Sequence, residues 1–178
     1  MDIQDNRQIV NANMVSIRKI TDHNGLDLFL QLTKEYLLEL GEDLSFQSVQ
    51  SELEEPLLKY GPPKGLILLA FVDGELAGCI ALQPILPHYQ LSADANRNAY
   101  CEMKRMYVKP AFRKHGIGNI LVEELLKEAK QLGYTHMWLD TLSRMQPAIN
   151  LYKRHGFTTI DPYYHNPIPG VIFMEAQL

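Results

Sequence analysis

Between Val108 and Leu126 the chain reads VKPAFRKHGIGNILVEELL, and its chemistry is concentrated in the central RKHGIGN. Arg113, Lys114 and His115 place positive charge just ahead of Gly116 and Gly118, and an amphipathic run follows. The first turn of such a helix carries unpaired N–H groups and a partial positive charge, which together form a seat for an anion such as phosphate. Glycine at 116 and 118 would let the backbone approach that anion. The same pair serves equally well as a tight corner into a helix, so G-x-G alone leaves both readings open. A dinucleotide fingerprint needs a third glycine where this chain has Leu121, and a P-loop needs Gly-Lys-Ser/Thr, which is absent.

The elements that must position this run can be read from hydrophobic period and turn residues. MVSIRKI (14–20) alternates apolar and polar residues as a half-buried strand does, and Leu28, Leu32 and Tyr36 recur at helical spacing up to Gly41. A second, shorter helix is expected around SFQSVQSELE (45–54), closed by Pro56. GLILLAFV and ELAGCIALQPI flank Asp73-Gly74, a strong hairpin signal. AYCEMKRMYV (99–108) reads as the fourth strand. Ile117, Leu121, Leu125 and Ala129 then mark a helix ending at Gly133, HMWLD (136–140) a fifth strand, and Pro147 the first turn of a helix running to Gly156. FTTI and GVIFMEAQ complete the pattern, an α/β (α+β) order of β-α-α-β-β-β-α-β-α-β-β with helices on the faces of a mixed sheet. Residues 1–13 are polar and aperiodic and read as a flexible N-terminal tail, with 14–178 as a single domain.

Composition narrows the function classes. The chain has 178 residues, 46% of them hydrophobic, enough for one substantial core. A formal net charge of −4 gives no general grip on nucleic acid. No apolar run approaches the roughly 20 residues of a membrane span, and the polar start lacks a signal-peptide core, so a cytoplasmic protein without a membrane partner is expected. Cys79 and Cys101 form neither a metal spacing nor a disulfide framework, and the six histidines make no ligand pattern, so no metal is expected.

The longer pattern is more specific than G-x-G. MYVKPAFRKHGIGNILVEELLKEA resembles the R-x-x-G-x-G/A segment of the Gcn5-related N-acetyltransferases, and AINLYKRHGF, about thirty residues on, resembles the second signature of that family, A-x-x-L-Y-x-x-x-G-F. The resemblance runs from Gly65 to the C-terminus. It implies a mostly antiparallel mixed sheet of six to seven strands, splayed at the fourth and fifth and flanked by about four helices. It further implies acetyl-CoA as cosubstrate and an amine acceptor, on a small molecule or a protein; homodimerisation stays open. A non-catalytic acyl-CoA-binding or regulatory domain on this fold is the alternative.

By that resemblance, backbone N–H groups from Lys114 through His115, Gly116, Ile117 and Gly118 to Asn119 would hold the CoA pyrophosphate, with Arg113 shaping the loop and Asn119 offering a side-chain donor. Met106, Tyr107 and Val108 would pair with the pantetheine arm and polarise the thioester. Amine attack needs a neutral amine. Glu102 stands where one branch of the family carries its glutamate base, and period-two alternation places it with Lys104, Met106 and Val108 on one face; a strand carboxylate paired with Lys104 or Arg105 is the other reading. Tyr152 takes the family position of the general acid that protonates the leaving thiolate, and would otherwise be a core tyrosine. Where the family often has a pantetheine-binding asparagine, this chain has Met145. Tyr163, Tyr164 and His165 in DPYYHNPIPG, with Tyr36 and Glu39 near the end of the first helix, are candidates for the acceptor pocket.

Overall fold

A computed structural model describes residues 5–10, 13–44 and 49–178. The strands are β1 (Asp5–Val10), β2 (Asn13–Ile20), β3 (Leu66–Val72), β4 (Glu75–Pro84), β5 (Tyr100–Val108), β6 (His136–Leu142), β7 (Thr158–Ile160) and β8 (Val171–Gln177). The helices are α1 (Leu26–Leu40), α2 (Val49–Glu54), α3 (Pro56–Tyr60), α4 (Ile117–Gln131) and α5 (Gln146–Arg154). Among the described residues no helix is long and apolar enough to cross a membrane.

One eight-stranded sheet runs β1-β2-β3-β4-β5-β6-β8-β7. Every neighbouring pair is antiparallel except β5 and β6. That exception follows from α4, whose crossover returns the chain in the same direction. The sheet has one strand more than expected because β1, inside the segment read as a tail, pairs residue for residue with β2 from Asp5↔Arg18 to Val10↔Asn13. Residues 1–4 and 11–12 of that segment lie outside the described residues, as do 45–48 at the start of the expected second helix. Pro56 does more than close α2: it opens α3 at a first-turn position, where its missing N–H costs no hydrogen bond.

Helices cover both faces. On one, α4 buries Leu121, Val122, Leu125 and Ala129 against Leu68, Leu82 and Met137, with α5 adding Leu151 and Tyr152. On the other, Phe29, Leu32 and Tyr60 of α1 and α3 cover Ile67, Leu69, Cys79 and Ala81. A separate aromatic cluster of Tyr89, Trp138, Tyr163, Tyr164 and Phe173 ties the long loops to the sheet. Cys79 and Cys101 are free, buried core residues.

Gly118 explains how α4 sits. A Cβ there would lie 2.9 Å from Met106 Cε and 3.2 Å from Leu151 Cδ2, so the first turn of α4 is pressed between β5 and α5. The close fit at this glycine is with two side chains, Met106 and Leu151. Met106 is flexible enough to yield to one methyl group, whereas a branched side chain would overfill the site. Gly118→Ala should cost less than about 1 kcal/mol and Gly118→Val about 1–3 kcal/mol, read as shifts in the urea unfolding midpoint.

Candidate active site

β5 and β6 pair only from Tyr100↔His136 to Glu102↔Trp138, although both strands continue. Beyond Glu102 the two separate, so the β6-facing edge of β5 carries no strand ladder. The β4–β5 register shifts between Cys79↔Tyr107 and Ala81↔Lys104, which leaves an extra residue in β5. That bulge centres on Arg105, held at φ 54°. It corrects the expected alternation: Glu102 and Lys104 do not share a face with Met106 and Val108, which pack on the α4 side with Cys101 and Met103.

A narrow cleft of about 60 Å³ opens between the splayed ends, lined among others by Tyr36, Lys104, Arg105, Met106, Asp140, Met145, Tyr152 and Asn166. Beside it lies the start of α4. Lys114 and Gly116 both adopt left-handed conformations, at φ 67° and 79°. The Asn119 N–H turns back to the Gly116 carbonyl at 3.0 Å, while among the described residues no carbonyl outside the helix accepts from Ile117 or Gly118. Lys114 and His115 are exposed. Arg113 does shape the loop, donating from Nε to the Val108 carbonyl (2.9 Å) and from Nη2 to Glu39 (2.7 Å). The Asn119 amide donates one N–H to Glu123, and its oxygen meets His155 Nε2 at 2.9 Å.

Two buried ionic groups flank the cleft. Arg105 donates to both oxygens of Glu52, at 2.6 and 2.8 Å, and Lys59 adds a third contact at 2.9 Å. Burial pushes the Glu52 carboxyl up, but these two cations outweigh it and hold it below its ordinary range. Lys104 spans Glu102 (2.9 Å) and Asp140 (2.6 Å). The other Asp140 oxygen accepts from Tyr164 (3.1 Å) and Asn166 (3.2 Å). Here too burial acts upward and is overcome, chiefly by Lys104, so Asp140 stays below the usual carboxylate range.

Glu102 does not line the cleft. It has no solvent exposure. Gln83 Nε2 (2.7 Å) and the Tyr89 hydroxyl (2.8 Å) donate to one oxygen, and the Tyr163 hydroxyl (2.8 Å) and Lys104 to the other. A carboxylate offers about four acceptor positions, and all are filled. The expected base is therefore placed away from any amine entering the cleft. Tyr163, expected on an acceptor wall, is likewise a core residue, stacked on Trp138 at 4.4 Å.

Tyr152 reaches the cleft from α5, and burial pushes its phenol above the ordinary value. Tyr36 lines the opposite wall, with the Arg105 guanidinium 6.0 Å from its ring centroid; Tyr107 packs against it edge-on. Glu39 is tied to Arg113 instead of lining the cleft. Tyr164 and His165 line a wider neighbouring cleft of about 890 Å³, which Lys104 also borders. Asp140, Asn166 and Glu52 were not singled out from sequence. Their contacts with Lys104 and Arg105 join residues 26 to 53 positions apart or pass through such a pair, so neither signature motif contains them. Among the described residues no group of three or more His, Cys, Asp or Glu could hold a metal ion.

A sheet splayed at its parallel pair, beside a helix start with left-handed residues at 114 and 116, is the arrangement that the two motifs imply for an acyltransferase. The chain belongs to the acetyltransferase (GNAT) family, whose model matches residues 29–157. It is 43% identical over 165 residues to an uncharacterized N-acetyltransferase of Schizosaccharomyces pombe, covering 92% of this chain and 95% of that one. It is 30% identical to another from Dictyostelium discoideum, over 91% and 99% of the two chains. Among solved structures, the PaiA N-acetyltransferase of Thermoplasma acidophilum, in complex with coenzyme A, is 19% identical with a TM-score of 0.64, over 92% and 99% of the chains.

Removing the Glu52 charge leaves Arg105 and Lys59 facing a neutral amide in the interior. Glu52→Gln should cost roughly 3–5 kcal/mol at pH 7, measured by urea unfolding. Because the folded carboxyl is depressed, its stabilisation is present above the unfolded value of about 4.3 and is lost as pH falls through the folded value. The gap between wild type and variant should therefore shrink below about pH 4.

Proposed function

We propose that this chain transfers an acetyl group from acetyl-CoA to a primary amine by direct attack in a ternary complex. The observation that carries this reading is the separation of β5 from β6 after Glu102↔Trp138, directly beside the first turn of α4. The unladdered edge at Met106, Tyr107 and Val108 would accept the amide groups of a pantetheine arm as an added strand would. The N–H groups at the start of α4, with Lys114 and His115 at the mouth, would hold the pyrophosphate. A protein of the same fold, the PaiA N-acetyltransferase, was solved in complex with coenzyme A, which supports coenzyme A chemistry for this fold.

In the reaction the amine nitrogen bonds to the thioester carbonyl carbon and the C–S bond breaks. Tyr152 gives its phenolic proton to the departing thiolate. Burial keeps the phenol protonated at neutral pH, and also makes it a weaker acid than an exposed tyrosine. Glu102 has no vacant acceptor position, and Asp140, held ionised by Lys104, is a weak base. The amine proton therefore leaves to water, and the reactive acceptor is the fraction already neutral.

A thiol-release assay with acetyl-CoA and a panel of amines tests this. Turnover should appear, and kcat/KM should climb with pH as the amine loses its proton. Tyr152→Phe should lower kcat by about 10²-fold with CoA affinity unchanged. An undiminished kcat in that variant removes the acid assignment, and tight CoA binding with no turnover on any amine points instead to a binding module.

A further inference from the structure

Glu102 joins four separate segments through one buried carboxylate. Its partners come from β4 (Gln83), the 85–90 loop (Tyr89), its own strand (Lys104) and the 161–170 loop (Tyr163). We propose that Glu102 is a positioning residue: it fixes these two loops on β5 and, through Lys104, sets Asp140 and Asn166 as the acceptor wall of the cleft. The kinetic part of this proposal rests on the acyl-transfer reading above; the positional part does not.

The two loops are joined to each other as well as to the carboxylate. Gln90 N–H donates to the Tyr163 carbonyl at 2.7 Å, and the Tyr89 ring stacks on Tyr164 at 5.0 Å and 13°. Arg97 braces the first loop by donating to the Leu86 and Tyr89 carbonyls, both at 2.9 Å. On the cleft side, Asn166 donates to both Asp140 and the Tyr164 hydroxyl (2.9 Å), and its own oxygen accepts from the Ile168 N–H at 3.0 Å. Asn166 and Ile168 both line the cleft. The chain Tyr163–Glu102–Lys104–Asp140–Asn166 therefore leaves the 161–170 loop and returns to it. All four of its contacts involve a charged side chain and two of them are ion pairs, in an interior where an unmet partner is costly. Such a loop is held in one place only while the carboxylate keeps all its donors.

The test compares wild type with Glu102→Gln, Tyr163→Phe and Tyr89→Phe, the last two each removing a single oxygen. Steady-state kinetics use acetyl-CoA and an amine that wild type acetylates, and amide hydrogen exchange is followed over 161–170. All three variants should raise KM for the amine about tenfold and speed exchange of the loop. KM for acetyl-CoA and the shape of the pH profile should be unchanged. A Glu102→Gln enzyme that loses kcat about a hundredfold and the low-pH limb of its profile, while both Phe variants match wild type, would restore the base and overturn positioning. Unchanged exchange in Tyr163→Phe would also overturn it. Should wild type acetylate no amine, the acyl-transfer reading fails, and faster exchange in Tyr163→Phe still supports the positional claim.

Discussion

The bulge at Arg105 is the constraint on which the site depends. A strand without it would keep strict alternation, sending Met106 and Val108 to the α1 face with Glu102 and Lys104. With one extra residue, Lys104 and Arg105 direct their cations to the buried ion pairs, while Met106 and Val108 turn to meet α4. Gly118 then completes the contact between helix and strand. A left-handed arginine costs of order 1–3 kcal/mol, and persists only where its surroundings determine it. Here Glu52 holds the guanidinium on both its oxygens and Cys79 Sγ contacts the Arg105 carbonyl at 3.3 Å.

The electrostatics follow from the same geometry. Glu52 faces two cations, Arg105 and Lys59, whereas Lys104 faces two carboxylates, Glu102 and Asp140. One triad is positive by one charge and the other negative by one, so the pair is neutral as a whole. Residual fields of opposite sign therefore meet at the cleft. Buried pairs of this kind rarely add stability over an apolar core, and their common use is to fix a unique arrangement. That use fits a site whose walls come from α1, β5, β6 and a loop near the C-terminus.

Much of the fold was legible because its signals are local. Asp73-Gly74 set a hairpin, Gly116 and Gly133 bounded α4, and apolar period identified its buried face. β1 was missed because DNRQIV has no alternation, its place depending on pairing with β2. α3 was missed because proline reads as a stop before it reads as a start. The bulge escaped for a deeper reason: period two counts residues, and a single inserted residue leaves composition and period on either side intact. Glu102 was correctly placed on its strand, and its pairing with Lys104 was one of the two readings; Tyr89 and Tyr163, which complete its shell, come from 13 and 61 residues away.

This division has a physical origin. The side of the cleft proposed for the cosubstrate is built from backbone: a strand edge, the N–H groups of one helix start and two left-handed residues within three positions. Backbone geometry is set by near neighbours, so a short motif records it. The side proposed for the acceptor is built from side chains on α1, β5, β6 and the 161–170 loop, held by ion pairs that span 36 to 53 residues. No window of sequence contains such a pair. A change at Gln83, Tyr89 or Tyr163 would alter that wall without touching either motif.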